Sequence, residues 1–276
     1  MSALRGGDEM RGSGLIMNKP RPSGRGGDDL TGFFARTAAR AGATIGLALF
    51  PSRCRVCQSW LEIPGERVVC GTCLTQLIPE RSPACPCCGT FFDGAGESHY
   101  CGSCLESPPL ISRHRSYGRY AGVLKSLILL YKFQRYSVLA GILADRAYAA
   151  FRKDEDLWLG AQALVPVPLH PKRERERGFN QSALLARELA RKCGLATVET
   201  ALIRTRSSPP QSTIEAADRA GNVRGVFEVR RPERIRGGMI VLVDDVYTTG
   251  ATLKECAAAL LGAGAGEVRA VTLARA

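Results

Sequence analysis

The sequence predicts an α/β fold in which a parallel sheet with flanking helices follows a small cysteine-rich module. Residues 239–243 form a continuous run of apolar, mostly β-branched side chains. Such a run is typical of a strand buried on both faces of a parallel sheet. Strand-type and helix-type segments alternate from Ala163 onward, and this alternation favours a sheet covered by helices. Cysteines between Cys54 and Cys104 fall into Cys-x2-Cys pairs, which are typical of metal-binding ribbons.

The composition is that of a globular chain with a basic surface. The 276 residues are 45% hydrophobic and carry a net charge of +12. This charge favours polyanionic partners, although a plain basic surface is the alternative. No apolar run approaches the roughly 20 residues of a membrane span. Residues 41–50 are too short for one and lack a cleavage pattern downstream. We therefore expect a cytoplasmic protein without a membrane span.

Changes in composition divide the chain into three segments. Residues 1–50 form a leader that we expect to be disordered or weakly helical, because residues 1–29 are rich in Gly, Arg, Pro and Ser. Met17 is an alternative start of the chain. We expect residues 51–108 to form the cysteine-rich module and residues 109–276 to form the α/β domain.

The cysteine-rich module contains two copies of the pattern Cys-x2-Cys-x12-Cys-x2-Cys. Two such pairs per copy suit a tetrahedral zinc site with four cysteine ligands, which indicates about two structural zinc ions rather than disulfides or free thiols. The simplest grouping keeps the ligands of each copy together, and a crossed grouping is also open. Cys87 has no counterpart in the first copy and is expected to be a spare thiol. The predicted ligands are Cys54, Cys57, Cys70 and Cys73 in the first unit, and Cys85, Cys88, Cys101 and Cys104 in the second.

The segment that follows the apolar run at 239–243 predicts an anion site. Asp244 and Asp245 come first, then a short polar loop, then apolar residues at helical spacing from Leu253. Unpaired N–H groups at a helix start bind anions, and hydroxyl groups add neutral donors. The two carboxylates only accept hydrogen bonds, so they suit sugar hydroxyls or Mg²⁺ through water. The candidate phosphate-binding residues are Thr248, Thr249, Gly250, Ala251 and Thr252.

A second strand–loop–helix unit begins at residues 163–167 and also offers polar groups where the helix starts. The interpretation of His170 is open between an acid–base group and an ordinary polar residue, because no partner is evident. Arg177 stands beside Gly178 and is a credible contact for pyrophosphate or another substrate group. Asn180 and Gln181 follow it and are further candidates.

Residues 111–136 are basic and contain interleaved aromatic side chains. This pattern suits single-stranded nucleic acid, which proteins bind through phosphate contacts and base stacking. The alternative is a helix over residues 123–132 that buries Leu124, Leu127, Ile128 and Tyr131 and leaves its cations in solvent. We favour the helix for the aromatic residues and leave the cations open, with Lys132 as a candidate substrate contact. A second helix is expected at about residues 137–151.

The run of apolar strand, two acidic residues and TTGAT resembles the phosphoribosyl pyrophosphate (PRPP) motif of type I phosphoribosyltransferases. The resemblance implies that Asp244 and Asp245 meet the ribose hydroxyls and that residues 248–252 hold the 5′-phosphate. Together with the cysteine-rich start, the segments PVPLHP and RGFNQ narrow the resemblance to the ComF family, which is associated with competence and DNA uptake. That family has a loop with Thr, Pro and Gln. Here it reads SSPPQ and ends at Gln211.

The resemblance implies two functions. In the first, the protein binds PRPP with Mg²⁺ and transfers the phosphoribosyl group to an unknown acceptor, and no residue is assigned as catalytic. In the second, it is a PRPP sensor without catalysis that binds single-stranded DNA and DNA-uptake proteins. Residues 205–224 correspond to a mobile loop that closes over the substrate, with a disordered insert as the alternative. The candidate pyrophosphate or substrate contacts are Lys132, His170, Arg177, Asn180, Gln181 and Gln211.

Overall fold

A computed structural model describes residues 52–61, 68–205 and 225–276. The predicted leader and Gln211, with most of the loop around it, lie outside the described residues. The strands are β1 Arg113–Arg119, β2 Ala161–Pro166, β3 Ala196–Thr197, β4 Leu202–Arg204, β5 Phe227–Val229, β6 Met239–Tyr247 and β7 Glu267–Arg275. The helices are α1 Gly71–Thr75, α2 Gly102–Glu106, α3 Gly122–Phe133, α4 Leu139–Phe151, α5 Glu155–Trp158, α6 Pro171–Arg177, α7 Gln181–Cys193 and α8 Ala251–Gly262, with a 3-10 turn at Pro232–Arg234.

Five strands form one sheet in the order β1-β7-β6-β2-β3, and every neighbouring pair is parallel. Strand β6 lies at the centre, and its first five residues are buried, as expected for an apolar run covered on both faces. The prediction of a parallel sheet with flanking helices is confirmed. Because the strands are parallel, the carboxyl ends of β2 and β6 meet at one edge, where ligands bind in folds of this kind.

Strand β1 was not predicted. Its sequence, RHRSYGR, lacks the apolar alternation of a half-buried strand. It joins the edge of the sheet by pairing with β7 along its length. Its buried residues include the polar His114 and Ser116, whose side chains hydrogen-bond within the sheet and to the cysteine-rich module. Tertiary partners therefore supply the burial that the local pattern does not indicate.

Strands β4 and β5 form a separate antiparallel pair. Strand β5 is three residues long and lies outside the main sheet. The alternation from Ala163 onward therefore overstates the parallel sheet at this point. The pair contacts the core through Leu202 and Phe227, which pack in the cluster beneath α8.

The predicted helices at residues 123–132 and 137–151 are confirmed as α3 and α4. In α3, Leu124, Leu127, Ile128 and Tyr131 are buried, so these residues are core, as the helix interpretation proposed. Full burial of one such leucine contributes roughly 1.5–3 kcal/mol. The last residue of the helix, Phe133, remains 68% exposed. No helix among residues 52–61, 68–205 and 225–276 is long and apolar enough to cross a membrane.

The two cysteine-rich units pack on the sheet domain in different ways. The first contributes Cys54, Val69 and Leu77 to the hydrophobic cluster that contains α3, α4 and α7. The Tyr117 hydroxyl donates to the Leu77 carbonyl at the same junction. The second forms a small cluster of its own and reaches the sheet through polar contacts with β1 and β7. The first unit is therefore joined to the sheet domain by apolar packing together with hydrogen bonds, and the second mainly by hydrogen bonds.

Candidate functional site

The predicted phosphate loop lies between the end of β6 and the start of α8. Gly250 precedes α8 with φ of 75°, a conformation that glycine adopts without strain. A Cβ atom at this position would lie 2.2 Å from the Tyr247 hydroxyl. Both the backbone angle and the close approach of Tyr247 therefore require glycine. Helix α8 is three turns long, so its first N–H groups carry the partial positive charge of a helix start.

Asp245 is the most buried acidic residue of the site, with 3% of its surface exposed. Its Oδ1 lies 2.7 Å from the Lys132 Nζ atom. Its Oδ2 is buried and has no hydrogen-bond partner among the residues that the structure describes. A buried carboxylate oxygen without a donor is costly, so such an atom calls for an explanation, and a bound ligand or ion is one. This oxygen is therefore placed to accept from a bound group.

Asp244 accepts two hydrogen bonds through its Oδ1 atom. The donors are the Ser182 hydroxyl and the Asp245 backbone N–H, each at 2.9 Å. Burial, and then the charge of Asp245, raise the pKa of Asp244 to about 7, and the Lys132 ammonium partly offsets this increase. Two carboxylates side by side disfavour double ionisation. The pair is thus poised to exchange a proton near neutral pH or to receive a cation.

These groups line a cavity of about 580 Å³ at the carboxyl ends of the central strands. Five cationic and three acidic side chains face it, which suits an anionic ligand with sugar hydroxyls. Arg177 donates to the Gln181 side chain across the cavity wall. Burial lowers the pKa of the Arg177 guanidinium, and the nearby aspartates oppose this. The predicted residues that line the cavity are Lys132, Arg177, Gln181, Asp244, Asp245, Thr248, Gly250, Ala251 and Thr252.

Three predicted residues do not line this cavity. Thr249 is exposed, and its hydroxyl accepts from the Ala251 backbone at 3.4 Å. His170 caps α6, because its Nδ1 accepts from the Lys172 backbone N–H at 3.2 Å. Asn180 caps α7 through its Oδ1 and donates from Nδ2 to the Val167 carbonyl. His170 and Asn180 therefore shape the loops that carry Arg177 and Gln181.

Several cavity residues were missed from the sequence. Ser182 lies near the start of α7, and its hydroxyl donates to Asp244. Arg204 is 9% exposed and reaches the cavity from β4. No local pattern marks it, although a buried arginine at the end of a short strand is uncommon. Further lining residues that the sequence did not indicate are Tyr120, Arg135, Arg173 and Glu176.

The eight predicted metal ligands form two groups, Cys54/Cys57/Cys70/Cys73 and Cys85/Cys88/Cys101/Cys104. Tetrahedral zinc with Zn–S bonds of about 2.3 Å places its sulfurs about 3.8 Å apart. The Cys54–Cys73, Cys57–Cys70 and Cys88–Cys101 sulfurs lie 3.8, 3.6 and 3.7 Å apart. Backbone N–H groups of Cys70 and Cys101 also point at sulfurs. The residues fit zinc, and the ligands group within each unit rather than across units.

Cys87 takes no part in either group. Its thiol is buried and donates to the Ile111 carbonyl, and burial raises its pKa. This agrees with its interpretation as a spare thiol.

Comparisons with known proteins agree with this architecture. The family model described as a phosphoribosyl transferase domain matches residues 177–276. The family model described as a double zinc ribbon domain matches residues 47–105. A solved structure of glutamine PRPP amidotransferase from B. subtilis shares 22% identity, with a TM-score of 0.31 over 49% of this chain and 25% of that chain. By its two family matches, the molecule is a phosphoribosyltransferase-type α/β protein with a double zinc ribbon.

Three curated relatives carry the resemblance further. "DNA utilization protein YhgH" of Escherichia coli strain K12 is 36% identical over 62% of this chain and 75% of its own length. "Competence protein F" of Haemophilus influenzae is 33% identical over 58% of this chain and 71% of its own length. "Competence protein ComFC" of Bacillus subtilis strain 168 is 33% identical over 60% of this chain and 65% of its own length. The chain belongs to the ComF family.

Proposed function

We propose that the protein binds PRPP with Mg²⁺ in the cavity and transfers the phosphoribosyl group to an acceptor nucleophile. The observation that carries this proposal is the buried Oδ2 of Asp245, which has no hydrogen-bond partner in the described part of the chain and lies beside a loop of neutral donors. The paired carboxylates would accept from the two ribose hydroxyls, which are adjacent donors. The 5′-phosphate would bind at the start of α8, where Thr248 and Thr252 line the cavity.

The cations on the opposite wall suit the pyrophosphate. In the transfer, the C1–O bond to pyrophosphate breaks and its electron pair leaves with the pyrophosphate. The acceptor then forms a bond to C1 and releases a proton. Arg177, Arg173 and Arg204 line the cavity and would stabilise the charge that develops on the leaving group. Asp244 and Asp245, which line the cavity, are the residues that would hold Mg²⁺, and the ion would supply further neutralisation of the negative charge of the ligand.

The ion pair between Lys132 and Asp245 gives Lys132 a role in this proposal. Lys132 lies on α3, outside the segment that the phosphoribosyl transferase family model matches. Its side chain is 19% exposed and its ammonium holds the Asp245 carboxylate in place. We propose that it orients the Asp245 carboxylate to accept from the ribose.

Calorimetry with PRPP and Mg²⁺ tests the proposal. Asp245→Asn keeps the shape of the side chain and removes its charge. We expect an affinity loss of roughly 10- to 100-fold, because a hydrogen bond to an ionised group contributes about 1.5–3 kcal/mol. The matched control is Asp156→Asn, an exposed carboxylate that pairs with Arg113 and should bind as the parent does. Equal affinity in Asp245→Asn and the parent would refute the site.

Turnover is tested separately by pyrophosphate release. We expect release above background when a suitable base or amine is added with PRPP. Arg177→Gln should reduce that release more than it reduces PRPP affinity, because its charge acts on the leaving group. If the parent binds PRPP tightly but none of the acceptors tested causes pyrophosphate release, the second function below is favoured.

A second candidate is a PRPP sensor that binds single-stranded DNA and works with DNA-uptake proteins, in line with the names of its relatives. The rim of the cavity supports it. Phe133 is 68% exposed, with the Arg177 guanidinium 5.4 Å from its ring centre. Lys125 lies 5.7 Å from the ring centre of Tyr120. The exposed Phe133 ring and the partly buried Tyr120 ring lie beside cations, an arrangement that suits base stacking with phosphate contacts.

Salt dependence of DNA binding tests this candidate. We expect Phe133→Ala to weaken single-stranded DNA binding at all salt concentrations by roughly 5- to 100-fold, the range for loss of one stacked base. The control Leu159→Ala removes an equally exposed apolar side chain (72% exposed) outside the cavity lining. Binding that is independent of salt would contradict phosphate contacts.

We also propose that residues 51–108 and 109–276 are the two functional units, preceded by the leader at residues 1–50. We place the protein in the cytoplasm, because free cysteines that bind zinc persist in a reducing compartment.

A further inference from the structure

The second cysteine-rich unit contacts the sheet through main-chain groups of its first knuckle. The Cys88 carbonyl accepts from His114 Nδ1 and from Arg275 Nη1, each at 2.8 Å. A carbonyl only accepts, so Nδ1 of His114 carries the proton and Nε2 accepts from Thr272 at 3.0 Å. Arg275 also donates to the Thr90 hydroxyl, which lies 3.1 Å from the Cys88 sulfur. Two side chains of the sheet, His114 and Arg275, thus contact the main chain of the predicted zinc ligand Cys88 directly.

The same two side chains contact Tyr247, the last residue of β6, directly before the phosphate loop. The His114 and Tyr247 rings stack with centres 4.6 Å apart and an angle of 24°. The Arg275 guanidinium lies 4.2 Å from the centre of the Tyr247 ring. The Tyr247 hydroxyl lies so close to Gly250 that a Cβ there would meet it at 2.2 Å. Tyr247 therefore forms the support of the loop and is itself clamped by His114 and Arg275.

The knuckle fits tightly against β1. A Cβ at Gly89 would lie 2.6 Å from the His114 carbonyl, and the His114 N–H donates to the Cys87 carbonyl at 2.7 Å. Arg113 and Arg115 both donate to the Pro86 carbonyl at 2.9 Å. Each carbonyl from Pro86 to Cys88 thus has a donor from β1 or β7. Loss of the knuckle conformation would remove all of these partners at once.

The first unit makes no such connection in the described part of the chain. Cys57 is the repeat counterpart of Cys88 and is exposed, with its sulfur beside Ser59. The first unit instead packs by apolar side chains against the cluster of α3 and α4. Two units with the same ligand pattern therefore meet different parts of the sheet domain, and among residues 52–61, 68–205 and 225–276 only the second is linked to the phosphate loop by these contacts.

We propose that metal binding at the second four-cysteine site positions the phosphate loop, with Arg275 and His114 as positioning residues that act on Tyr247. Zinc would fix the Cys88 knuckle, the knuckle would orient the two side chains, and these would hold Tyr247 against Gly250. The first site would stabilise the fold without this effect on the loop. The effect of the coupling on ligand affinity rests on the proposed phosphosugar site, whereas the effect on loop order does not.

Amide hydrogen exchange of residues 247–252, together with zinc content, tests the coupling in the full chain. We expect Arg275→Gln to retain the parent zinc content and to speed exchange in this loop by roughly tenfold, because the loop opens locally more often. The matched control is Arg269→Gln on the same strand, whose side chain pairs with Glu267. It should leave loop exchange unchanged. Unchanged exchange in Arg275→Gln would overturn the proposal.

A pair of ligand variants separates the two sites. Cys88→Ser and Cys57→Ser should each lose about one zinc ion per chain. We expect fast loop exchange in Cys88→Ser and parent-like loop exchange in Cys57→Ser. Adding Arg275→Gln to Cys88→Ser should cause little further change, because both substitutions interrupt the same chain of contacts. Equal effects of the two cysteine variants, or effects that add fully in the double variant, would also overturn it.

Calorimetry with PRPP and Mg²⁺ then relates loop order to binding. Arg275→Gln should lower affinity by roughly tenfold while Arg269→Gln does not. Normal affinity in Arg275→Gln with a loosened loop would overturn the effect on binding. If the parent itself binds no phosphosugar while the exchange differences persist, the proposed function fails and the coupling between zinc and loop stands.

Discussion

At the residue scale, the site depends on how two adjacent carboxylates share one buried environment. Asp245 points one oxygen at Lys132 and leaves the other without a donor among the described residues. Asp244 has its charge stabilised by Ser182 and a backbone N–H, yet burial and Asp245 still raise its pKa to about 7. The two adjacent carboxylates therefore repel each other, and hydrogen bonds from sugar hydroxyls or a bound cation would reduce this repulsion.

The raised pKa of Asp244 makes the free energy of unfolding depend on pH. Its folded pKa of about 7 lies above the ordinary 3.8, so the folded state binds the proton more tightly. The stabilising free energy that this tighter proton binding contributes is fully present below the ordinary pKa of 3.8 and is lost as pH rises through about 7. We expect the free energy of unfolding of the parent, relative to Asp244→Asn, to fall between about pH 4 and pH 7. Urea unfolding at several pH values measures this difference.

The same carboxyl predicts the pH dependence of binding. PRPP affinity should increase across neutral pH, because ionised Asp244 accepts from ribose hydroxyls through both oxygens and attracts Mg²⁺, whereas the protonated carboxyl does so more weakly. Asp244→Asn should lose that part of the increase and keep the part due to ionisation of the ligand phosphates. Identical pH profiles for the two proteins would argue against ionised Asp244 as a ligand group.

Gly250 offers a test of the loop that leaves the carboxylates intact. Gly250→Ala forces a Cβ into a left-handed backbone position and against the Tyr247 hydroxyl. We expect roughly tenfold weaker phosphosugar binding and a stability loss of about 1–3 kcal/mol. Gly262→Ala is the control, because a Cβ there meets no atom within 4 Å and no left-handed angle is required. Binding by Gly250→Ala at parent strength would contradict the close approach of Tyr247.

At the scale of elements, the site is assembled from the carboxyl end of β6, the starts of α7 and α8, and the end of α3. Helix α3 precedes the sheet strands that flank the site, and it delivers Lys132 to Asp245 because its buried face packs in the core. Strand β4 adds Arg204 from a separate sheet. Each element contributes one or two groups, so the site depends on the packing between elements.

Helix α3 also permits a matched pair of stability variants. Leu127 is fully buried and Leu129 is 38% exposed in the same helix. Leu127→Ala should lower the free energy of unfolding by about 2–5 kcal/mol through lost burial and a cavity. Leu129→Ala should change it by less than about 0.5–1 kcal/mol. Urea unfolding measures both, and equal losses would contradict the orientation of the helix.

At the scale of the whole molecule, the ribbon and the sheet share a core. Cys54, Leu61 and Val69 lie in the same cluster as buried residues of α3, α4 and β6. The first zinc site therefore stabilises the sheet domain through apolar packing, because a structural metal site folds the chain around it. The net charge of +12 adds an attraction to polyanions.

Zinc content and zinc removal test this arrangement. We expect about two zinc ions per chain in protein purified without chelator. The chain has two tryptophans, Trp60 in the ribbon and Trp158 in α5, so Trp60→Phe leaves Trp158 as a reporter of the sheet domain. A strong chelator should lower the urea midpoint of the Trp158 fluorescence. An unchanged midpoint after both zinc ions are removed would contradict the shared core.

The sequence by itself determined the features that depend on neighbouring residues. The Cys-x2-Cys spacing indicated two units of four cysteine ligands, the apolar run with its acidic pair and Thr-rich loop indicated β6 and the start of α8, and helical spacing indicated α3 and α4. Hydrophobic period, turn residues and ligand spacing are local properties, so a linear pattern contains them. The parallel sheet followed from the alternation of such segments.

Only the tertiary structure decided which distant residues meet. It paired Lys132 with Asp245, turned Ser182 toward Asp244, brought Arg204 into the cavity and used His170 and Asn180 as helix caps. It also made β1 an edge strand and set the second ribbon against Tyr247 through His114 and Arg275. These contacts join residues far apart in the chain, and the packing of apolar faces that brings them together leaves no signal in the spacing around any one of them.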